Sequence, residues 1–178
     1  NQIDGAKVIA VCEQDTKRVT EVTEGNVAGV EQTVNLGDVK LYSDFDRMLA
    51  QEKLDAVSIT LPTYMHRQFT VKSLEAQVAV VCEKPMAVEL ADCEAMIEAG
   101  RRTGNILQIG HCIRFCPEYV KTKEIIDSGK YGHVKAASFR RLASKPGWSW
   151  NDWLSGVDKS GGMILDLHIH DSDYVQYV

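Results

Sequence analysis

The stretch VAVVCEKPMAVELADCEAMIEAGRRTGNILQIG, residues 78–110, decides the fold. Val78 to Cys82 is apolar without alternation, the pattern of a strand covered on both faces. Glu83-Lys84-Pro85-Met86 follows, and then Leu90, Cys93, Met96, Ile97 and Gly100 recur at helical spacing, which predicts an amphipathic helix from Glu89 to Thr103. Asn105 to Gly110 reads as the next strand. Working outward, the same alternation recurs toward the N-terminus. Strands are expected at Lys7 to Cys12, Val39 to Tyr42 and Asp55 to Leu61, with helices near Lys17 to Glu24, Asp44 to Gln51 and Met65 to Ala76. Apolar strands separated by helices indicate parallel pairing, hence a doubly wound α/β sheet. Beyond Pro117 the pattern changes to a helix from Glu118 to Ser128, a Gly-Lys-Tyr-Gly turn and an alternating strand from His133 to Leu142. Residues 1–111 are therefore expected to form one domain and residues 112–178 the start of a second, α+β domain.

Composition narrows the function classes. The 178 residues are 44% hydrophobic, ample for a packed core, and 25 acidic against 20 basic residues give a formal charge of -5 with no basic stripe. No nucleic-acid partner is expected. No apolar run has the length of a membrane span, and no basic-then-apolar leader opens the sequence, so a cytoplasmic protein with no membrane partner is expected. Five cysteines, Cys12, Cys82, Cys93, Cys112 and Cys116, form an odd set best read as reduced thiols.

Four segments carry chemistry. Glu13, in Val-Cys-Glu-Gln-Asp, ends a strand where a carboxylate accepts the hydroxyls of a nucleotide ribose. The second segment is Thr-Leu-Pro-Thr-Tyr-Met-His, Thr60 to His66, at the end of another strand. The third, Glu83-Lys84-Pro85, lies at the carboxyl end of a strand, where open parallel sheets bind their ligands. The fourth is Gly161-Gly162-Met163-Ile164-Leu165-Asp166-Leu167-His168-Ile169-His170-Asp171-Ser172-Asp173. On a helix, Asp166 and His170 lie within about 40° of each other. They could then share a hydrogen bond that raises the basicity of the imidazole and fixes its tautomer. On a strand, Asp166, His168 and His170 would instead share one face as a zinc-ligand set, with His111, Cys112 and Cys116 as further donors, and a metal-dependent hydrolase would follow. A non-catalytic binding module on the same fold is the third reading.

Together these segments resemble the glucose-fructose oxidoreductase and inositol dehydrogenase family across nearly the whole chain. Met163 departs from the resemblance, standing where many members have glycine or another small residue. The resemblance implies a Rossmann-like fold and hydride transfer between a sugar, polyol or cyclitol carbinol carbon and NAD, with NADP possible. It makes Lys84, Asp166 and His170 catalytic: His170 as general base, Lys84 on the reacting oxygen, Asp166 orienting the imidazole or binding a neighbouring hydroxyl. Glu13, Thr60, Pro62, Thr63, His66, Glu83, Lys84 and Pro85 are expected at the cofactor, and no metal. Lys84, Arg114, Asp166, His170 and Trp150 are expected at the substrate, Trp150 with Trp148 and Trp153 offering ring faces to a sugar. A homo-oligomer is implied for the full-length protein.

The family's glycine-rich phosphate loop, between its first strand and first helix, does not occur in these residues. Position 1 is not Met, and the sequence stops within Asp173-Tyr-Val-Gln-Tyr-Val178 without a cap. Both features predict a piece of a longer chain, with a central strand missing between those at Val8 and Val57.

Overall fold

The computed structural model describes residues 4–20, 23–24, 31–32, 37–142, 147 and 149–178, in two compact units, Asn1–Asp55 and Ala56–Val178. In the first unit β1 (Ala10–Cys12) pairs in parallel with β4 (Lys40–Tyr42), Ala10 opposite Lys40 and Cys12 opposite Tyr42. The Glu13 amide extends the ladder to the Tyr42 carbonyl at 2.9 Å. Between them lie the short α1 (Lys17–Thr20) and an antiparallel pair, β2 (Thr23–Glu24) with β3 (Glu31–Gln32). The helix expected over 17–24 therefore ends at Thr20. Three β-branched residues, Val19, Thr20 and Thr23, favour extended backbone as the segment proceeds. After β4, Asp44 caps α2 (Phe45–Gln51) by accepting from the Arg47 amide at 2.8 Å.

The second unit holds a parallel sheet, β5 (Ala56–Ile59), β6 (Ala79–Glu83) and β7 (Leu107–Gly110), with β6 in the middle. Its register sets Ile59 beside Cys82 and Glu83 beside Gly110. Crossover helices α3 (His66–Glu75) and α4 (Leu90–Thr103) pack on each other, and α3 also packs on β6. Beneath them Val57, Ile59, Val80, Cys82, Leu74, Met96 and Ala99 form the core. At Gly100 a Cβ would stand 3.6 Å from Leu107, an ordinary van der Waals contact. Only Met96 of the five residues at helical spacing is fully enclosed; Leu90, in the first turn, is 74% exposed. One row across the three strands, Ser58, Val81 and Gln108, stays exposed, Val81 at 41%.

Beyond β7 a 3-10 turn (Cys112–Phe115) leads to α5 (Pro117–Asp127), with Pro117 at its first position, where a missing N–H costs nothing. The strand expected over 133–142 does not form. Alternation supplies a face but not a partner: no strand among the described residues pairs with it, and Tyr131 to Ser138 are exposed. A 3-10 turn (Trp150–Ser155), α6 (Val157–Ser160) and α7 (Gly162–Tyr177) complete the unit.

The corner between α6 and α7 fixes where α7 points. Gly161 has a positive φ of 73°, and a Cβ there would lie 2.3 Å from Leu165 Cδ2. Buried Ser160 donates to the Leu154 and Gly156 carbonyls, both at 3.0 Å, and accepts from the Gly162 amide at 3.0 Å. Gly161→Ala is expected to cost about 2–4 kcal/mol, combining the left-handed backbone with overpacking. Gly132, with φ 78° and open space around it, supplies the control. There alanine meets only the backbone penalty, about 1 kcal/mol. Urea denaturation of the two variants measures the difference.

Candidate active site

At the carboxyl end of the three-stranded sheet the expected residues gather on two loops. After β5, Pro62 accepts from Met65 to open the 3-10 turn Thr63–Met65, on which α6 packs. Thr60 is exposed and Pro62 half-buried, whereas Thr63 is buried. At the end of β6, Glu83 is exposed with its carboxylate over Gly110, and in the loop beyond it Pro85 is buried. Between them Lys84 reaches toward α7. Its Nζ donates to the Asp166 backbone carbonyl at 2.8 Å and to Asp166 Oδ1 at 3.1 Å.

The segment 162–177 is a helix, so the metal-ligand arrangement that required a strand at 165–169 is not formed. His168 turns from Asp166 and instead faces Asp171, Nδ1 to Oδ2, at 3.0 Å. Asp166, His170 and Asp173 follow at intervals of four and three, and so lie within about 60° of one another on the helix. Asp166 meets Lys84 at one end of this face. At the other end Asp173 is clasped by Arg114, whose Nε donates to Oδ2 at 2.7 Å and whose Nη2 donates to Oδ1. Arg114, expected at the substrate, is thus seen in an ion pair within the protein, with the Tyr177 ring 4.6 Å from the guanidinium.

His170 lies between these two anchors, 9% exposed, with Nδ1 buried and without a hydrogen-bond partner among the described residues. Among the described residues no hydrogen bond joins Asp166 to His170; Asp166 Oδ1 accepts from Lys84 instead. Its basicity is lowered, not raised. Burial pushes the imidazole from its ordinary 6.5 down to about 4, assisted by the charges of Lys84, Arg141 and His111 and only partly opposed by Asp166.

Three groups carry a place here that the sequence did not assign them: His111, read only as a metal donor, Asp173, quoted only within its motif, and Arg141. His111 follows β7, one register step beyond Gly110 and so beside Lys84. Its Nε2 lies 3.6 Å from Asp173 Oδ1, and its Nδ1 is buried and unpartnered. Burial leads in lowering its pKa. Burial alone would raise Asp173, but the hydrogen bond from Arg114 and the charges of His111, Arg114 and His170 hold it below the usual carboxylate range. Arg141 donates to Asp171 Oδ1 at 2.9 Å and to the Tyr119 hydroxyl at 3.0 Å, tying the extended segment to α7 and α5. The strand-end position of His111 was a usable signal; nothing in the sequence pattern linked Arg141 to Asp171.

Two sequence-family models match the chain. The sequence model described as "Oxidoreductase family, NAD-binding Rossmann fold" matches residues 1–111, and that of the GFO/IDH/MocA C-terminal domain matches residues 119–178. The chain belongs to the GFO/IDH/MocA family. Among curated GFO/IDH/MocA relatives, myo-inositol 2-dehydrogenase of Thermotoga maritima is 31% identical over 99% of this chain and 48% of its own length. The 2,7-anhydro-N-acetylneuraminate hydratase of Mediterraneibacter gnavus is 30% identical over 79% of this chain and 37% of its own. A crystal structure of a probable dehydrogenase from Thermotoga maritima superposes with a TM-score of 0.74 at 28% identity, covering 97% of this chain and 48% of that one. The chain thus spans about half the length of the curated relatives it matches.

Glu13 and Trp150 are each described within their own unit. Glu13, in the first unit, accepts from the Asp15 amide at 3.1 Å and from Arg18 at 3.3 Å, and stays partly exposed. Trp150 is partly exposed in its 3-10 turn, and Trp148 lies outside the described residues. The five cysteines are free, with burial pushing Cys82 up to about 11. Among the described residues no helix is long and apolar enough to cross a membrane.

NMR titration of the His170 ring is expected to give a midpoint well below 6.5. The sign follows from linkage. A ring harder to protonate when folded contributes stability that is complete above about 6.5 and lost as pH falls toward 4. A midpoint at or above 6.5 would contradict the assigned environment.

Proposed function

We propose that this chain carries the cofactor and proton-handling residues of a nicotinamide-dependent dehydrogenase acting on a CH–OH carbon of a sugar, polyol or cyclitol. The observation that carries the reading is Lys84 at the end of the central parallel strand, held on a helix that also presents a neutral, buried His170. Residues 1–111 would form the cofactor domain and residues 112–178 begin the substrate domain.

The residues present suit a nicotinamide cofactor. Thr60, Pro62, Glu83 and Lys84 stand at the carboxyl ends of parallel strands, and Glu13 ends β1 with a carboxylate able to accept from a ribose diol. When bound, NAD supplies the acceptor for the hydride. The protein's part is the proton and the geometry. Lys84 Nζ spends two of its three N–H bonds on Asp166, leaving one for the substrate oxygen, where its charge favours the developing alkoxide. His170, neutral at pH 7, takes the hydroxyl proton on a ring nitrogen. Asp166 keeps the ammonium in place, a different task from orienting the imidazole.

With NAD and myo-inositol as probe substrate, Lys84→Ala and His170→Ala are each expected to lower kcat by about 10²- to 10⁴-fold, with unchanged circular dichroism. Wild-type turnover in both would end this assignment. Comparing kcat/KM for NAD and NADP tests Glu13, whose carboxylate should repel a 2'-phosphate and favour NAD.

A further inference from the structure

His66 differs from the other residues expected at the cofactor. It opens α3 and is 1% exposed. Its Nδ1 lies 2.9 Å from the Pro85 carbonyl oxygen and its Nε2 lies 2.7 Å from the Leu61 carbonyl oxygen. Leu61 belongs to the loop after β5, directly before Pro62 and Thr63. Pro85 belongs to the loop after β6, directly after Lys84. One rigid ring therefore spans both strand-end loops.

We propose that His66 is a positioning residue which ties the Lys84 loop to the loop after β5 and so holds Lys84 against Asp166. The inference rests on the dehydrogenase reading for its catalytic consequence, but the tie itself does not depend on it. Both polar edges of the ring face protein carbonyls, and its burial leaves none for a ligand. A neutral imidazole donates to one of these carbonyls and an imidazolium to both; in either form the nitrogens face backbone. The strand register does not by itself hold the two loops, because the last paired residues are Ile59 with Cys82, two positions short of Leu61 and three short of Pro85. The ring bridges that unpaired stretch. Lys84 Nζ must reach two acceptors on α7, and a loop free to shift would lose both together.

The test is a double-mutant cycle in the protein with NAD and myo-inositol, using His66→Phe, which keeps a ring of similar shape without nitrogens, and Lys84→Ala. Misplacement of a catalytic group by about 1 Å costs up to about 10²-fold, so His66→Phe should lower kcat by roughly 10- to 100-fold. The NAD dissociation constant, measured by direct titration, should stay within about threefold, and His66→Gln, which restores one donor, should recover part of the rate. In the Lys84→Ala background His66→Phe should change kcat by less than about twofold, because the two act as one unit. An equal loss in both backgrounds would overturn the proposal. So would a loss of NAD affinity matching the loss of rate, which would return His66 to the cofactor contacts. A second readout needs no turnover. Brief acetylation followed by mass spectrometry should show Lys84 reacting several-fold faster in His66→Phe, relative to exposed Lys159, on the order expected when a paired amine is released. Unchanged Lys84 reactivity in both His66→Phe and His66→Gln would sink the tie. A protein that oxidises no polyol, yet exposes Lys84 in these variants, would sink the dehydrogenase reading and keep the tie. If His66→Phe does not fold, His66→Gln carries the same measurements.

Discussion

The site depends on one partly buried ion pair, Lys84 with Asp166. It joins the end of the central strand of the sheet to the helix that bears the imidazole, and it uses a side-chain and a backbone acceptor of the same residue. Removing either partner would leave the other charge largely shielded from water and unmatched, which costs more than the pair contributes. The two members come from residues 82 positions apart in sequence, so the geometry exists only when sheet and helix are both in place. Other contacts around it, from the Ser160 corner to the Arg114 clasp on Asp173, constrain the same helix from its two ends.

Much of this arrangement was legible in residue order. Apolar runs without alternation marked β5, β6 and β7, and their carboxyl ends marked Lys84, since parallel topology fixes where ligands approach. The spacing of Asp166 and His170 placed them together on a helix. Roles within the cluster were not legible. Whether Asp166 would face an imidazole or an ammonium depends on which side chain arrives from another part of the chain, and spacing along one helix is silent on that. The pairing of Arg114, expected at the substrate, was hidden for the same reason: its partner is Asp173, 59 positions away.

Other elements were misread where a tertiary partner decides. His133 to Leu142 has strand-like alternation, yet backbone extends into a ladder only beside a second strand. The helix begun at Lys17 ended early because β-branched residues tilted a marginal segment toward a two-residue ladder. α3 conceals the opposite case. It buries His66, Thr70 and Ser73 with Leu74, a face that hydrophobic periodicity would assign to solvent. Buried polar side chains on a crossover helix are read correctly only once their backbone acceptors are known, as Ser73 with Phe69 and His66 with Pro85 show.

The fixed start of α7 at Gly161 and Gly162 restricts how this chain can vary in length. A single residue inserted between Gly162 and Asp166 would turn everything beyond it by about 100° and advance it by about 1.5 Å. Asp166 would leave Lys84, and Asp173 would leave Arg114, in one step. Deletions would do the same in the opposite sense. Among the described residues the extended segment near 133–138 joins no ladder and carries no such phase. Across homologous sequences the count of residues from the paired glycines to the acid should therefore stay constant, a ruler set by helical pitch and not by the identity of the intervening side chains.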